Sequence, residues 1–369
     1  MKGKIEKVSI VPENFPEKAL VTGSLYKMSV NEKINKYYLL AYLICKYGVS
    51  FKERYKTNLL ISFVSKDDLY RIPVPNFSLF FQREIEKIFL NLFQLKQGFQ
   101  KIYTQAENIL LENLGMADFT PSSEPVNIKS FKDSFGVSGR LDAEYYQPKY
   151  DYLENIFNQF DRVTLADLVS YPICSGVTPK ANGDDYTDME SGIPFIRAVD
   201  LVGGLVTTND INYIKPSIHT GLLKRTQLKR NDFLFSIAGT VGRCAIFEHD
   251  IEANINQAVA ILRFNNRRIN HYYLMTFFNS WVGKEFVAKY ARQGLQTNLN
   301  LTELGELFVP IIDITAQQQI AELVQQSFAL KAQSEHLLDV AQRAVEIAIE
   351  QDEAAALAYI AHEVKDGSE

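Results

Sequence analysis

The chain has 369 residues, of which 46% are apolar and 22% are charged, and its formal net charge is −5. This composition excludes a wholly disordered chain, and the length predicts about two domains of roughly 100–200 residues each. Three widely spaced cysteines exclude a disulfide framework and a zinc knuckle. Neither an apolar signal region nor an apolar run of about 20 residues is present, so we expect a cytoplasmic protein with no membrane partner.

The negative charge is concentrated at the C-terminal end, where residues 311–369 contain 3 basic and 11 acidic residues. The densest basic stretch, residues 215–230, has no acidic residue and contains five basic ones, which are Lys215, Lys224, Arg225, Lys229 and Arg230. Because the charge is distributed so unevenly, the net value does not exclude a nucleic-acid-binding face.

An internal repeat organises the chain. Residues 34–39 (Ile-Asn-Lys-Tyr-Tyr-Leu) return as residues 269–274 (Ile-Asn-His-Tyr-Tyr-Leu), at an offset of 235. The offset holds without a gap for about 80 residues, and a match that keeps one register over this length indicates a duplication. Further matching pairs are Gly48 with Gly283, Pro75 with Pro310, and Gln82 with Gln317.

The first copy is shorter than the second. Residues 3–5 and 8–10 match residues 239–241 and 244–246, whereas residues 136–238 have no counterpart in the first copy. We therefore interpret residues 1–75 as the C-terminal part of a first domain, whose complete form is present only in the second copy. In this interpretation the chain starts partway into its first domain.

Each copy ends in a long helix with a heptad pattern of apolar residues. The 3-4 spacing runs through residues 85–109 in the first copy and 320–344 in the second, where the side chains are smaller and more polar. We predict helices over residues 76–116 and 311–360 that pair as an antiparallel coiled coil. The large apolar side chains of the first helix would pack against the smaller ones of the second. A frayed tail at 361–369 would follow. The alternative is that both helices are core elements of a larger bundle.

Between the helices we predict a linker over residues 117–135 and a complete mixed domain over residues 136–310, because short β-like runs alternate there with turn signals. The predicted strands are Phe195–Ala198, Asp232–Ile237, Cys244–Phe247 and Ala258–Phe264, and the predicted helices are Gln147–Phe157 and Ile269–Asn279. The predicted fold class is therefore α/β, a mixed α+β domain, with two long antiparallel coiled-coil helices.

Motifs of autonomous catalysis are absent from the sequence. The five histidines lack metal-binding spacing, and neither a GxxxxGK[ST] phosphate loop nor the (Asn/Asp)-Pro-Pro-(Tyr/Phe) run of an amino-methyltransferase occurs. Residues 239–242 (Gly-Thr-Val-Gly) indicate a tight turn, and Glu363-Val364-Lys365 indicates solvated surface. We expect a non-catalytic chain with no cofactor or metal of its own.

Polar and basic side chains in the loops of the mixed domain suit DNA. Lys and Arg neutralise phosphates, Arg also recognises guanine, and Asn or Gln recognises adenine in the major groove. The candidate DNA-binding residues are Lys180, Asn182, Arg197, Lys224, Arg225, Lys229, Gln293, Gln296 and Asn298. For each position alone, ordinary solvated surface is the alternative, but as a set they predict contact with DNA.

The order of these motifs resembles the specificity subunit of type I restriction-modification systems. The matching segments are Ser175–Pro179, Ile193–Asp200, Asp232–Gly242, Asn256–Ala258, Gly294–Leu299, Val309-Pro310 and Gln317–Ile320. Together they cover residues 136–350, and the partial repeat at residues 1–115 extends the resemblance to nearly the whole chain.

The resemblance implies two target-recognition domains that are held apart by antiparallel helices, each of which reads one part of a split DNA sequence. It implies methyltransferase subunits as partners, with S-adenosylmethionine bound only there, and restriction subunits that these recruit. This chain departs from the pattern in its truncated first target-recognition domain. Three alternatives stay open: a partial or silent specificity cassette, a coiled-coil protein-interaction module, and a methyltransferase that has lost its motifs.

Overall fold

A computed structural model describes residues 7–12, 15, 19–57, 63–120, 124, 126–180, 184–207, 211–264, 269–292 and 297–366. The helices in this part of the chain are α1 Lys36–Ile44, α2 Lys46–Arg54, α3 Lys66–Tyr70, α4 Leu79–Asn113, α5 Phe135–Ser138, α6 Pro148–Phe157, α7 Leu165–Leu168, α8 Pro216–Thr220, α9 His271–Asn279, α10 Trp281–Tyr290, α11 Leu301–Glu306, α12 Ile314–Glu350 and α13 Glu353–Asp366. Among them, none combines the length and the apolar character that crossing a bilayer requires.

The strands in the described residues are short. They are β1 Arg162–Thr164, β2 Cys174–Ser175, β3 Tyr186–Thr187, β4 Ile193–Ile196, β5 Leu201–Val202, β6 Gly204–Val206, β7 Asn212–Ile214, β8 Phe233–Ser236, β9 Cys244–Ile246, β10 Asn254–Ile255, β11 Val259–Leu262 and β12 Phe308–Pro310. Short 3-10 turns lie at Ala143–Tyr146, Ala198–Asp200 and Lys224–Thr226.

The chain forms two compact units. The first unit contains Met1–Lys101 and Gln326–Glu369, and the second unit is the continuous stretch Ile102–Gln325. Because the boundaries fall within α4 and α12, each unit contains a part of each long helix. The mixed domain that the sequence predicts at residues 136–310 lies entirely within the second unit.

In the first unit, α4 and α12 pack antiparallel. The Ser327 hydroxyl of α12 donates to the carbonyl oxygen of Phe99 at 3.1 Å, and Glu353 accepts the backbone N–H of Ser78 at 2.7 Å. The start of α4 therefore lies beside the end of α12, and the later part of α4 lies beside the earlier part of α12. The shared core combines large side chains of α4 with both small and large ones of α12. They are Ile85, Ile88, Phe89 and Leu92 of α4, and Leu337, Val340, Ala341, Ala344, Val345, Ile347 and Ala348 of α12. The predicted antiparallel pairing is confirmed, and three alanines make part of the α12 side small.

The C-terminal end differs from its prediction. The single helix expected over residues 311–360 is interrupted after Glu350, and the tail expected to fray is helical as far as Asp366. The Asp352 carboxylate accepts the N–H of Ala355 at 2.8 Å and so caps the start of α13. Glu363 lies 3.5 Å from His336, which shows that α13 folds back along α12.

The described residues of the second unit form three sheets. Their strand orders are β2-β11-β8-β9-β6-β5, β10-β4-β7-β3 and β1-β12. In the largest sheet β8 pairs antiparallel with both β11 and β9, and every residue of these three strands is buried. Runs such as Phe233-Leu234-Phe235 lack the alternation of a half-exposed strand, which is typical of strands covered on both faces.

The predicted fold class is confirmed by these elements. β8, β9 and β11 lie inside their predicted ranges, as do α6 and α9. The strand predicted at Phe195–Ala198 instead begins at Ile193 and ends at Ile196, because residues 198–200 form a 3-10 turn.

The duplication is visible in the hydrogen bonds as well as in the sequence. α1 and α9 begin and end at residues separated by the offset of 235, and the two copies repeat the same side-chain contacts. In each copy a glutamine oxygen accepts the N–H of the residue that caps the helix, and a tyrosine hydroxyl donates to a proline carbonyl. The matching contacts are Asn35 to Gln82, Asn270 to Gln317, Tyr38 to Pro75, and Tyr273 to Pro310.

Candidate nucleic-acid interface

The basic segment 215–230 connects β7 to β8 and covers part of the second unit. It contains α8, which Pro216 starts at the first helical position, and the 3-10 turn Lys224–Thr226. Leu223, Thr226 and Leu228 of this segment are buried, whereas Lys224, Arg225 and Lys229 are exposed. The alternation of buried and exposed residues fixes the segment to the domain while its cations face solvent.

Ion pairs divide the five cations of the segment into two groups. Lys215 lies 2.6 Å from Asp184, and Arg230 forms an ion pair with Asp250, so the two ends are neutralised. Lys224, Arg225 and Lys229 have no acidic group within 4.0 Å among the residues that the structure describes. We call these three residues the cationic loop.

A buried polar network holds the backbone beneath the cationic loop. His219 Nδ1 is hydrogen-bonded to Asn254 Oδ1, and both side chains are almost completely buried. Asn254 Nδ2 donates to the carbonyl oxygen of Leu223 at 2.9 Å, and Gln227 Nε2 donates to that of His219 at 3.2 Å. Because a buried amide that loses its partners costs about 1–3 kcal/mol, this network gives the turn one preferred position.

A second anchor lies at the C-terminal side of the loop. The buried carboxylate of Asp232 accepts two bonds of 2.7 Å from the guanidinium of Arg263, and a third of 2.9 Å from the backbone N–H of Lys229. Arg263 also donates to the carbonyl oxygen of Gln227 at 2.8 Å. These charge-assisted bonds raise the pKa of Arg263. They also fix the backbone of the residues directly before and after Leu228.

The predicted DNA contact Arg197 already has a partner. Its Nε and Nη2 donate to the two carboxylate oxygens of Asp200 at 3.0 and 2.9 Å, and its backbone N–H donates to the same carboxylate at 2.8 Å. The side chain is about one third exposed, whereas that of Asp200 is buried. The ion pair therefore caps the 3-10 turn after β4, and a role in DNA contact stays a prediction.

The other predicted residues lie at two places. Lys180 is exposed and its backbone N–H donates to Asp185, whose carbonyl accepts the N–H of Lys215, so this loop lies beside the basic segment. Asn298 is exposed next to the turn that follows β8, where Gly239 donates to the Thr297 carbonyl at 3.1 Å. The candidates Asn182, Gln293 and Gln296 lie outside the described residues.

Sequence reasoning missed the four residues of the two anchors, which are His219, Asn254, Asp232 and Arg263. Asp232 and Asn254 stand directly before apolar strand residues, and a lone polar residue at the start of a buried strand is a usable signal for a buried anchor. Their partners lie 31 and 35 residues away in sequence, so the sequence alone could not predict which residues pair. Among the described residues no group of three or more His, Cys, Asp or Glu side chains is placed to hold a metal ion.

These elements define a mixed α/β domain that presents a fixed cationic loop. Comparison with protein families gives the class, because residues 158–339 match the family described as the type I restriction modification DNA specificity domain. The resemblance inferred from the sequence is therefore confirmed for these residues.

Individual relatives agree with this assignment. The chain is 29% identical over 242 residues to the type I restriction enzyme EcoBI specificity subunit of Escherichia coli, a match that covers 62% of this chain and 50% of the relative. The chain thus spans about half the length of that protein.

Two solved structures were also matched. They are the HsdS subunit of Thermoanaerobacter tengcongensis (16% identity, TM-score 0.35, 86% of this chain and 70% of the other) and the type I restriction-modification S subunit of M. genitalium (12% identity, TM-score 0.43, 89% and 73%).

Proposed function

We propose that this chain is the DNA-recognition subunit of a type I restriction-modification assembly. The observation that carries the proposal is the cationic loop within the matched specificity domain. It presents three cations that no described acidic group neutralises, on a backbone that two buried networks hold in place. A fixed array of cations is suited to the regularly spaced phosphates of duplex DNA.

Recognition divides between two kinds of contact. Lys224, Arg225 and Lys229 bind phosphates and set the register of the domain on the duplex, and they carry no sequence information in that role. Sequence is read by side chains that reach base edges, for which the polar candidates around residues 180–182 and 293–298 have suitable chemistry. Arg197 stays a candidate for this role because about one third of its side chain is exposed.

The chemistry is carried out by other polypeptides. In this account the chain binds methyltransferase subunits, which hold S-adenosylmethionine, and these recruit restriction subunits. The chain itself contributes no catalytic group and no cofactor. Its paired helices α4 and α12 provide the surface that the methyltransferase subunits contact, and the recognition domain positions their active sites on the target.

The test is a salt titration of duplex binding by the double variant Lys224→Glu/Arg225→Glu in complex with the methyltransferase subunit. Because each lost phosphate contact removes about 0.9 from the slope of log K against log salt concentration, we expect the slope to flatten by about 2 and the affinity at low salt to fall. Fluorescence anisotropy of a labelled duplex measures both quantities.

The matched control is Lys132→Glu/Lys284→Glu, which changes the charge by the same amount at two exposed lysines of the second unit. We expect its slope to follow the wild type. An unchanged slope in the loop variant would show that the cationic loop does not contact DNA, and duplex binding that is absent in every form would favour a protein-interaction module.

A further inference from the structure

Leu222 is an aliphatic side chain of the basic segment that faces solvent. It is 57% exposed, whereas Leu223 and Leu228 of the same segment are 1% and 7% exposed. Ile218 packs against a buried cluster that includes Leu223. Of the four leucine and isoleucine residues in this segment, three therefore hold it on the domain and Leu222 does not.

A hydrogen-bonded turn places Leu222 at its first central position. The backbone N–H of Lys224 donates to the carbonyl oxygen of Gly221 at 3.2 Å, so Leu222 and Leu223 are the two central residues of a β-turn. Leu223 has a φ of −102° and a ψ of 17°, close to the values of the second central residue in a type I turn. One leucine of the turn is thus buried while the other is presented to solvent.

Hydrogen bonds fix the backbone on both sides of Leu222. The N–H of Gly221 donates to the carbonyl oxygen of Ser217 at 3.0 Å, and the N–H of Leu223 donates to that of Ile218 at 2.9 Å. The carbonyl oxygen of Leu223 accepts from the buried amide of Asn254. Turning Leu222 inward would break these bonds and leave a buried amide without its partner, which is unfavourable.

The cationic loop begins two residues after Leu222. The Cα atoms of Leu222 and Lys224 are therefore at most about 7 Å apart. The major groove of duplex DNA is about 12 Å wide, so a side chain this close to a phosphate-binding lysine lies within the width of the groove when the loop binds DNA. The apolar group that base pairs present in this groove is the 5-methyl group of thymine.

We propose that Leu222 is a specificity-determining residue that contacts the 5-methyl group of a thymine in the major groove. The inference rests on the proposed function, because it requires that the cationic loop binds the duplex. Single exposed leucines are common on protein surfaces. This one differs in its fixed turn and in the cations that follow it. The contact removes apolar surface of both partners from water, and cytosine at the same position offers no methyl group.

Deoxyuridine tests the proposal because it differs from thymidine in lacking the 5-methyl group. Two duplexes carry the sequence motif that methylome sequencing identifies, one with thymine and the other with uracil in place of every thymine. Fluorescence anisotropy measures their affinities for the chain in complex with the methyltransferase subunit, with wild-type Leu222 and with Leu222→Ala.

We expect Leu222→Ala to bind the thymine duplex at least about 4-fold more weakly than the wild type does, since the loss of one buried methyl-sized group has about this effect. The change from thymine to uracil should weaken the wild type about 4-fold more than it weakens Leu222→Ala. Comparing the two losses cancels thymine contacts made by other residues. The slope of log K against log salt concentration stays at the wild-type value, because no charge is removed.

Met189→Ala is the matched control. Met189 is 74% exposed in the same unit, and its neighbours Asp188 and Glu190 carry charges that repel phosphates. We expect this variant to bind both duplexes as the wild type does.

Two results overturn the inference, and they differ in what they say about the proposed function. If both proteins bind the thymine duplex and lose equal factors with uracil, Leu222 does not read a thymine methyl group and the proposed function stands. If no form of the complex binds either duplex, the proposed function is overturned together with the inference.

Discussion

His271 illustrates how burial of a single residue makes stability depend on pH. Its ring packs against Phe264 with 5.1 Å between ring centroids, and burial lowers the pKa of the imidazole below its ordinary value. Between the ordinary and the lowered pKa the unfolded chain binds more protons than the folded chain. The contribution of this group therefore lowers stability as the pH falls through the ordinary value of about 6.5.

We predict that His271→Gln loses less free energy of unfolding between pH 7 and pH 5 than the wild type does. Urea denaturation at the two pH values measures this difference. The control is His362→Gln, which changes an exposed histidine of α13. Equal pH dependence in wild type and His271→Gln would contradict the assignment.

At the residue scale, the sequence predicted which side chains are basic but not which of them are paired. Segment 215–230 contains no acidic residue, yet Asp184 and Asp250 neutralise its ends from other parts of the chain. Such pairs depend on the tertiary fold and leave no local pattern. The Arg197–Asp200 pair is different, because the acidic residue stands three positions after the arginine and is visible in the sequence.

At the scale of elements, a glycine in each copy allows two helices to pack closely. A Cβ atom on Gly48 would lie 2.1 Å from the carbonyl oxygen of Tyr42, and one on Gly283 would lie 2.0 Å from that of Phe277. Both distances are far shorter than a van der Waals contact, and the obstacle is backbone that cannot move aside.

We predict that Gly48→Ala and Gly283→Ala each reduce the free energy of unfolding by about 3 kcal/mol or more. Chemical denaturation followed by circular dichroism measures the change. Gly23→Ala is the matched control, because no atom lies within 4 Å of its added Cβ. Similar stabilities for all three variants would show that the close approach does not exist.

The helix seam gives a second prediction at this scale. Ala341 of α12 is completely buried in the core that it shares with α4, whereas Ala332 of the same helix is exposed. We predict that Ala341→Leu costs about 1–3 kcal/mol of stability through overpacking and that Ala332→Leu costs little. Thermal denaturation of both variants checks this prediction. Equal melting temperatures would show that Ala341 is not tightly packed against α4.

The heptad pattern predicted the helices and their pairing but not the break after Glu350. Residues 351–353 (Gln-Asp-Glu) contain neither glycine nor proline, so the usual signals of a helix end are missing. The turn is stabilised by the Asp352 cap and by the packing of Ala356 and Ile360 into the same core. A continuous apolar pattern fits a straight helix and a hairpin equally well, and tertiary packing decides between them.

At the scale of the whole molecule, a duplication accounts for much of the chain. The offset of 235 predicted equivalent helices, and equivalent capping and tyrosine contacts are present in both copies. The pairing of strands could not be predicted, because strand order depends on contacts between residues far apart in sequence.

Methylome sequencing tests the proposed DNA recognition most directly. The cells to compare carry the methyltransferase subunit with the wild-type chain, with the Lys224→Glu/Arg225→Glu variant, or with neither. We predict a methylated sequence motif that appears with the wild-type chain, is lost without it, and is strongly reduced with the variant. The same methylated motifs in all three kinds of cell would contradict the account.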